Sequence, residues 1–175
     1  WEIVSMIHNK VEFTEIIGEV LKGIIRTASL ERAIFFEFEE GRLIPTQGYD
    51  KSLRTLDPQS IQVSETILLD TLKANEIRFL TGLQDEENFD IHSSIFGLGL
   101  RSAVCFPLHF EGSIQGVIYS DAQTKQEFNT DEKKLLESIL IQGRSAYEKV
   151  VRLKNMQSQQ ISQLILEDPI SGSTL

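Results

Sequence analysis

The pattern of the chain predicts an α+β fold: a central antiparallel sheet, a helix before it and a long helix after it. Three observations carry this. Apolar residues recur at helical spacing near the start and again after Thr130. Between them lie two pairs of short runs rich in β-branched and aromatic residues. Each pair is joined by a tight glycine-containing turn, and hairpins of this kind build antiparallel sheets.

Phe13, Ile16, Ile17, Val20, Leu21, Ile24 and Ile25 put one apolar stripe on the first helix. Asn9 is placed to cap it, with Glu12 as the partner of a capping box, and the helix is expected to end near Ser29. Residues 1–8 then read as the end of an upstream linker helix. Ala33 to Phe38 reads as a strand, Glu39-Glu40-Gly41-Arg42 as a turn and Leu43 to Gly48 as the return strand. A polar connection holding Asp57-Pro58 follows. Ser64 caps a short helix with apolar positions Ile67, Leu68, Leu72 and Ala74. Ile77 to Leu80 is a short strand, Thr81 to His92 an acidic irregular stretch, and Ser93 or Ser94 opens another short helix.

Ser102 to His109 and Ser113 to Ser120 form the second strand pair, around Glu111-Gly112. Pro107 cannot donate to a ladder, so its place in the first of these strands implies an edge or a bulge. Thr130 is the expected cap of the last helix, with Lys133 where a reciprocal glutamate would stand. No proline follows until Pro169, so this helix is expected to run about 38 residues, roughly 55 Å.

At 175 residues, 41% hydrophobic and 25% charged, the chain suits one globular domain. A formal net charge of −9 with dispersed Lys and Arg argues against a nucleic-acid partner. No apolar run approaches the roughly 20 residues that span a bilayer. The single cysteine, Cys105, rules out an internal disulfide and a cysteine metal site, and points to a reducing, cytoplasmic setting. The start at Trp1 and the lack of a signal-peptide pattern suggest a piece of a longer signalling protein.

An ordered set of motifs resembles the GAF domain family. It runs from Ser94-Ile95 through Gly99-Leu-Arg-Ser-Ala-Val-Cys-Phe-Pro-Leu108 and Gly112-Ser-Ile-Gln-Gly-Val-Ile-Tyr119 to Phe128-Asn-Thr-Asp-Glu132. The resemblance covers about Glu12 to Val150. It implies a sheet of about six strands, with the terminal helices on one face and short helices roofing a small-molecule pocket on the other. The domain is then expected over residues 9–150, with a helical extension over 151–167 and a junction to a missing effector over 168–175. Relatives bind cyclic nucleotides, bilins, haem, metabolites or ions, and many serve as dimerisation modules. Phe38, Tyr49, Phe89, His92, Ser94, Phe96, Arg101, Cys105 and Tyr119 are the pocket candidates, with Arg101 able to pair with an anionic ligand.

No catalytic residues are assigned. The one enzyme class considered, the GAF-like methionine-sulfoxide reductases, needs exchanging cysteines, and Cys105 stands alone. Lys125, Phe128, Asp131 and Glu132 echo the cyclic-nucleotide signature, with Thr124 where the Asn should be and the spacing one residue short. Cyclic-nucleotide binding therefore stays open. Bilin attachment is disfavoured because Cys105 precedes Phe106 rather than His, and haem has only His92 and His109 as axial candidates. Asp85, Glu86, Glu87, Asp90 and His92 read as a solvated acidic loop before they read as a metal site, so no metal is assigned.

The last helix keeps a seven-residue register. Leu136, Gly143, Val150, Gln157 and Leu164 share one seam position, and Ile139, Ala146, Leu153 and Gln160 the other. Beyond Val150 this register invites a parallel coiled coil in a homodimer, with Gln157 and Gln160 weakening the seam while fixing it. Glu167-Asp-Pro-Ile-Ser-Gly172 resembles the junction through which a signalling helix enters a GGDEF diguanylate cyclase, with Ile170 and Ser171 in place of Leu and Thr.

Overall fold

The computed structural model describes residues 2–84, 98–125 and 127–167. Its elements are α1 (Glu2–Ala28), β1 (Arg32–Glu39), β2 (Arg42–Asp50), a 3-10 turn (Pro58–Ser60), α2 (Glu65–Ala74), β3 (Arg78–Leu80), β4 (Ser102–Phe110), β5 (Ser113–Ala122) and α3 (Thr130–Glu167). The strands form one antiparallel sheet in the order β2-β1-β5-β4-β3. Among the described residues it has five strands, where the resemblance implied about six.

Both hairpins close on two residues of positive φ, Glu40 (48°) with Gly41 (80°) and Glu111 (48°) with Gly112 (80°). That twist matches the right-handed twist of the strands. Pro107 sits where β4 has passed the end of β3, which pairs it only from Ala103 to Cys105, and one residue before an irregularity in the β4–β5 register. Gly116 is required by the sheet: a Cβ there would collide with the Phe36 carbonyl oxygen and lie 2.7 Å from the Phe35 ring.

Three local expectations change. α1 runs unbroken through Asn9, so no helix starts there; Glu2 to Glu12 holds neither proline nor glycine to break it. In α2 the buried positions are Ile67, Leu68 and Thr71, whereas Ala74, at the last turn beside the left-handed Asn75 cap, is exposed. The cap of α3 is Asn129 rather than Thr130. Asn129 Oδ1 accepts from the Glu132 N–H at 2.9 Å, and Glu132 Oε2 accepts from the Asn129 N–H at 3.0 Å. Moving the cap back one residue supplies the reciprocal glutamate that a Thr130 cap lacks.

Alternation along the strands divides the interior into two layers. Ala33, Phe35, Val104, Phe106, Leu108, Ile118 and Ala122 face α1 and α3. Ile34, Phe36, Ala103, Cys105, Val117 and Tyr119 face α2. Each buried Leu, Ile or Phe contributes about 1.5–3 kcal/mol, which sets the strand register firmly. α1 and α3 run antiparallel in close contact: Gly23 faces Ile139, and Gly143 faces Val20 with room for no Cβ, since one would lie 2.5 Å from Val20 Cγ2. Phe13 packs edge-on against Tyr147 at 4.8 Å and Phe35 at 5.8 Å, tying both helices to the sheet.

Candidate functional site

On the α2 side, the start of β1 and the end of β5 place two charged residues where their strands' buried alternation continues. Arg32 is in phase with Ile34 and Phe36, and Asp121 with Val117 and Tyr119. They meet as a forked ion pair. Arg32 Nε donates to Asp121 Oδ1 and Nη2 to Oδ2, each at 2.8 Å. The Tyr119 hydroxyl donates to Oδ2 at 2.6 Å. Asp121 is 2% exposed, so its charge depends on these donors.

Burial alone would lower the Arg32 pKa, but the hydrogen bond and charge of Asp121 prevail and raise it, keeping the guanidinium charged. Burial, reinforced by the Asp121 charge, pushes the Tyr119 phenol well above its ordinary value, so it stays a donor. Arg32 Nη2 also donates to the Gln62 carbonyl at 2.8 Å, fastening the incoming segment of α2 to the sheet.

Above this pair opens a cleft of about 520 Å³ between the strand ends, the β2–α2 connection and residues 98–100. Arg32, Lys51, Arg54, Gln62, Leu100 and Asp121 are among its lining. Two further carboxylates reach it, and both are committed. Asp50 Oδ1 accepts from the Ser52 and Arg54 N–H groups at 2.8 and 3.0 Å, and its other oxygen lies 3.4 Å from Arg54 Nε. These bonds, the Arg54 N–H foremost, hold the Asp50 carboxyl below its ordinary pKa. Glu31 Oε1 accepts from Thr124 N–H at 3.1 Å and Thr124 Oγ1 at 2.6 Å. Burial would raise Glu31, but those hydrogen bonds outweigh it and lower the pKa.

The candidates named from the sequence fall in different places. Tyr119 is fully buried on the α2 face, its ring edge-on to Phe36 at 6.4 Å, and its hydroxyl belongs to the Arg32–Asp121 network. Cys105 is fully buried on the same face, and desolvation pushes its thiol up to about 12 against the hydrogen bond to Thr71. Phe38 is half-buried at the end of β1 beside Leu43. Tyr49 lies on the opposite face, packed against the α1 side, with Lys22 over its ring at 5.0 Å and Gln47 donating to its hydroxyl at 3.2 Å. Arg101 is exposed and does not line the cleft, where the part-buried guanidinium is Arg32 instead. Phe89, His92, Ser94 and Phe96 lie outside the described residues, as does the acidic stretch 85–90.

Arg32 and Asp121 were missed. Their signal was opposite charges at the ends of two strands, each two residues from a buried aromatic or aliphatic position in the same phase. Lys125, Phe128 and Glu132, which echo a nucleotide signature, build the entry to α3: Lys125 Nζ donates to Glu132 Oε1 at 2.7 Å and sits 5.6 Å from the Phe128 ring. Among the described residues no group of three His, Cys, Asp or Glu side chains could hold a metal. No described helix is long and apolar enough to cross a membrane.

Of the helix positions expected to signal, Val150 is buried in the domain, whereas Leu153 (44% exposed), Gln157, Gln160 and Leu164 (66% exposed) lie on the surface. At the same end of this antiparallel pair, Ile3, Val4, Ile7 and Val11 of α1 are exposed as well.

The sequence profile of the family described as GAF domain matches residues 12–145. Solved structures share the fold. The GAF domain of a two-component sensor histidine kinase from Bacillus halodurans is 19% identical, with 80% of this chain and 96% of that one covered, at a TM-score of 0.57. The GAF domain region of a putative membrane protein from Geobacter sulfurreducens PCA is 18% identical, covering 81% and 96%, at 0.60. A GAF domain from Synechocystis sp. PCC6803 in its photoproduct state is 13% identical, covering 83% and 99%, at 0.65. At these identities the likeness is one of fold. No curated protein matches the sequence. The profile spans most of the chain, and the solved GAF domains share its fold: this chain belongs to the GAF domain family.

Proposed function

We propose that this GAF domain is a non-catalytic regulatory sensor. It takes a small ligand on the α2 face of its sheet and relays the bound state through α3 to an effector domain. One observation carries the reading. The strands whose ends floor the cleft, β1 and β5, present their alternate residues, Phe35 and Ile118, to the core shared with α1 and α3. A ligand that shifts Arg32 or Asp121 therefore acts on strands that both helices pack against, and packed interiors transmit small shifts rather than absorb them.

The effector proposed is a diguanylate cyclase, on the strength of the junction Glu167 to Gly172. The lone buried Cys105 fits a cytoplasmic site of action. Cyclic nucleotides belong among the ligands to screen. Bilin does not lead, since Cys105 is buried and committed to the core, and haem does not, since its axial candidates are only His92 and His109.

A second reading, a ligand-free dimerisation module, draws on the exposed Leu153, Met156, Leu164 and Ile165 of α3. Apolar side chains in such a row favour a second copy beside them.

Thermal-shift screening with cyclic nucleotides, metabolites and metal salts tests the sensor. A ligand at 100 times its Kd stabilises by about 2.7 kcal/mol, a readily seen rise in melting temperature. Flat responses across a broad panel would favour the dimerisation module, which requires light scattering to show a dimer that is lost when residues 151–175 are removed.

A further inference from the structure

We infer that the cleft over Arg32 is an anion site, built for a small ligand carrying carboxylate or phosphate groups. The inference rests on reading this cleft as the ligand site and adds the chemistry it selects. By formal charge the lining looks balanced, with Arg32, Lys51 and Arg54 against Glu31, Asp50 and Asp121. Hydrogen bonding breaks that balance. Both oxygens of Asp121 are taken by Arg32 and Tyr119. Asp50 Oδ1 holds two backbone N–H groups, and Oδ2 faces Arg54 Nε. Glu31 Oε1 holds two donors from Thr124. Each carboxylate of the cleft is therefore already engaged by donors from within the chain.

The cationic donors are not all engaged. Arg32 uses Nε and Nη2, and makes no hydrogen bond through Nη1 to the described residues. Arg54 faces Asp50 through Nε at 3.4 Å, and its terminal nitrogens make no hydrogen bond to the described residues. The Lys51 ammonium makes no hydrogen bond to the described residues and acts on Glu31 through its charge. A cation entering this cleft would find carboxylates already occupied, whereas an anion would find unfilled guanidinium and ammonium donors. Arg32 is also held in orientation by its fork with Asp121 and its bond to the Gln62 carbonyl, so little conformational freedom is lost when it binds. The volume of about 520 Å³ is that of a metabolite site rather than a single-ion crevice.

The test is a two-dimensional NMR titration of the full chain with sodium phosphate and, separately, sodium citrate. Ionic strength is held constant with sodium chloride, so general screening does not vary. Saturable shifts of the amides of residues 51–54 and 121–123, with phosphate or with citrate, are expected, and the arm that saturates tells a phosphate site from a carboxylate site. The double variant Lys51→Gln with Arg54→Gln alters two surface side chains and should fold. It is expected to bind about tenfold more weakly, the size of one lost charge-assisted hydrogen bond. A control removing the same charge from α3, Lys134→Gln with Lys149→Gln, should bind like the parent.

No saturation with either anion would overturn the assignment, as would equal affinity of the double variant. The sensing role fails separately: anions that bind at 51–54 without perturbing amides beyond Val150 leave the site standing and remove the relay. A neutral ligand that stabilises the chain while both anions fail does the reverse.

Discussion

Asp121 concentrates the polar energetics of the domain in one carboxylate. Three hydrogen bonds reach it in a setting that water scarcely enters. Asp121→Asn keeps the shape and removes the charge, leaving the Arg32 guanidinium, itself a quarter exposed, without its counter-ion. Breaking a buried pair from one side is expected to cost about 3 kcal/mol, seen as a lower urea midpoint at unchanged slope. A cost below about 1 kcal/mol, the worth of an exposed ion pair, would show the network to be peripheral. At this scale the sequence was least informative. Tyr119 was singled out as an aromatic of the pocket, yet its role comes from a hydroxyl bonded two residues along the same strand. Arg101 was singled out as the cation, yet the strand starts just after it and leaves it in solvent, while Arg32 arrives from a strand remote in sequence. Partners separated by 89 positions cannot be read from local pattern.

Elements were read far better, because each carries its own periodicity. Both hairpins, the close approach at Gly116 and the length of α3 follow from residues within a few positions of one another. The cap of α3 was displaced by one residue because Asn129 and Thr130 are both good caps, and the choice depends on which one Glu132 can answer. That glutamate gives a pH prediction. Its bond to Lys125, followed by the Asn129 N–H, holds the carboxyl below its ordinary value of 4.5. A depressed carboxylate contributes stability that is present above 4.5 and lost as pH falls through the folded value. Glu132→Gln is therefore expected to lower the melting temperature at pH 7, with the gap to the parent closing below pH 4.5. A gap that stays constant down to pH 3 would assign the effect to packing rather than charge.

For the whole molecule, the fold class was legible because the ordered motifs specify strands, turns and helix starts in sequence. The division of the two faces, α1 and α3 on one side and α2 on the other, followed from the family resemblance rather than from local pattern, since it depends on contacts between elements remote in sequence. The unbroken α1 adds something the heptads of α3 alone did not suggest. Its exposed Ile3, Val4, Ile7 and Val11 belong to the stretch antiparallel to the end of α3, so any dimer seam there has two helices per chain to draw on. Regulation, on this account, is a matter of what the α2 face holds and how α3 responds.

Native mass spectrometry of the purified chain, incubated with a cell metabolite extract and desalted, tests that most directly. The account predicts a small anionic molecule carried with the folded chain and released when the same sample is sprayed from denaturing solvent, with lower occupancy in Arg54→Gln. The bare chain mass under both conditions, from parent and variant alike, would contradict it.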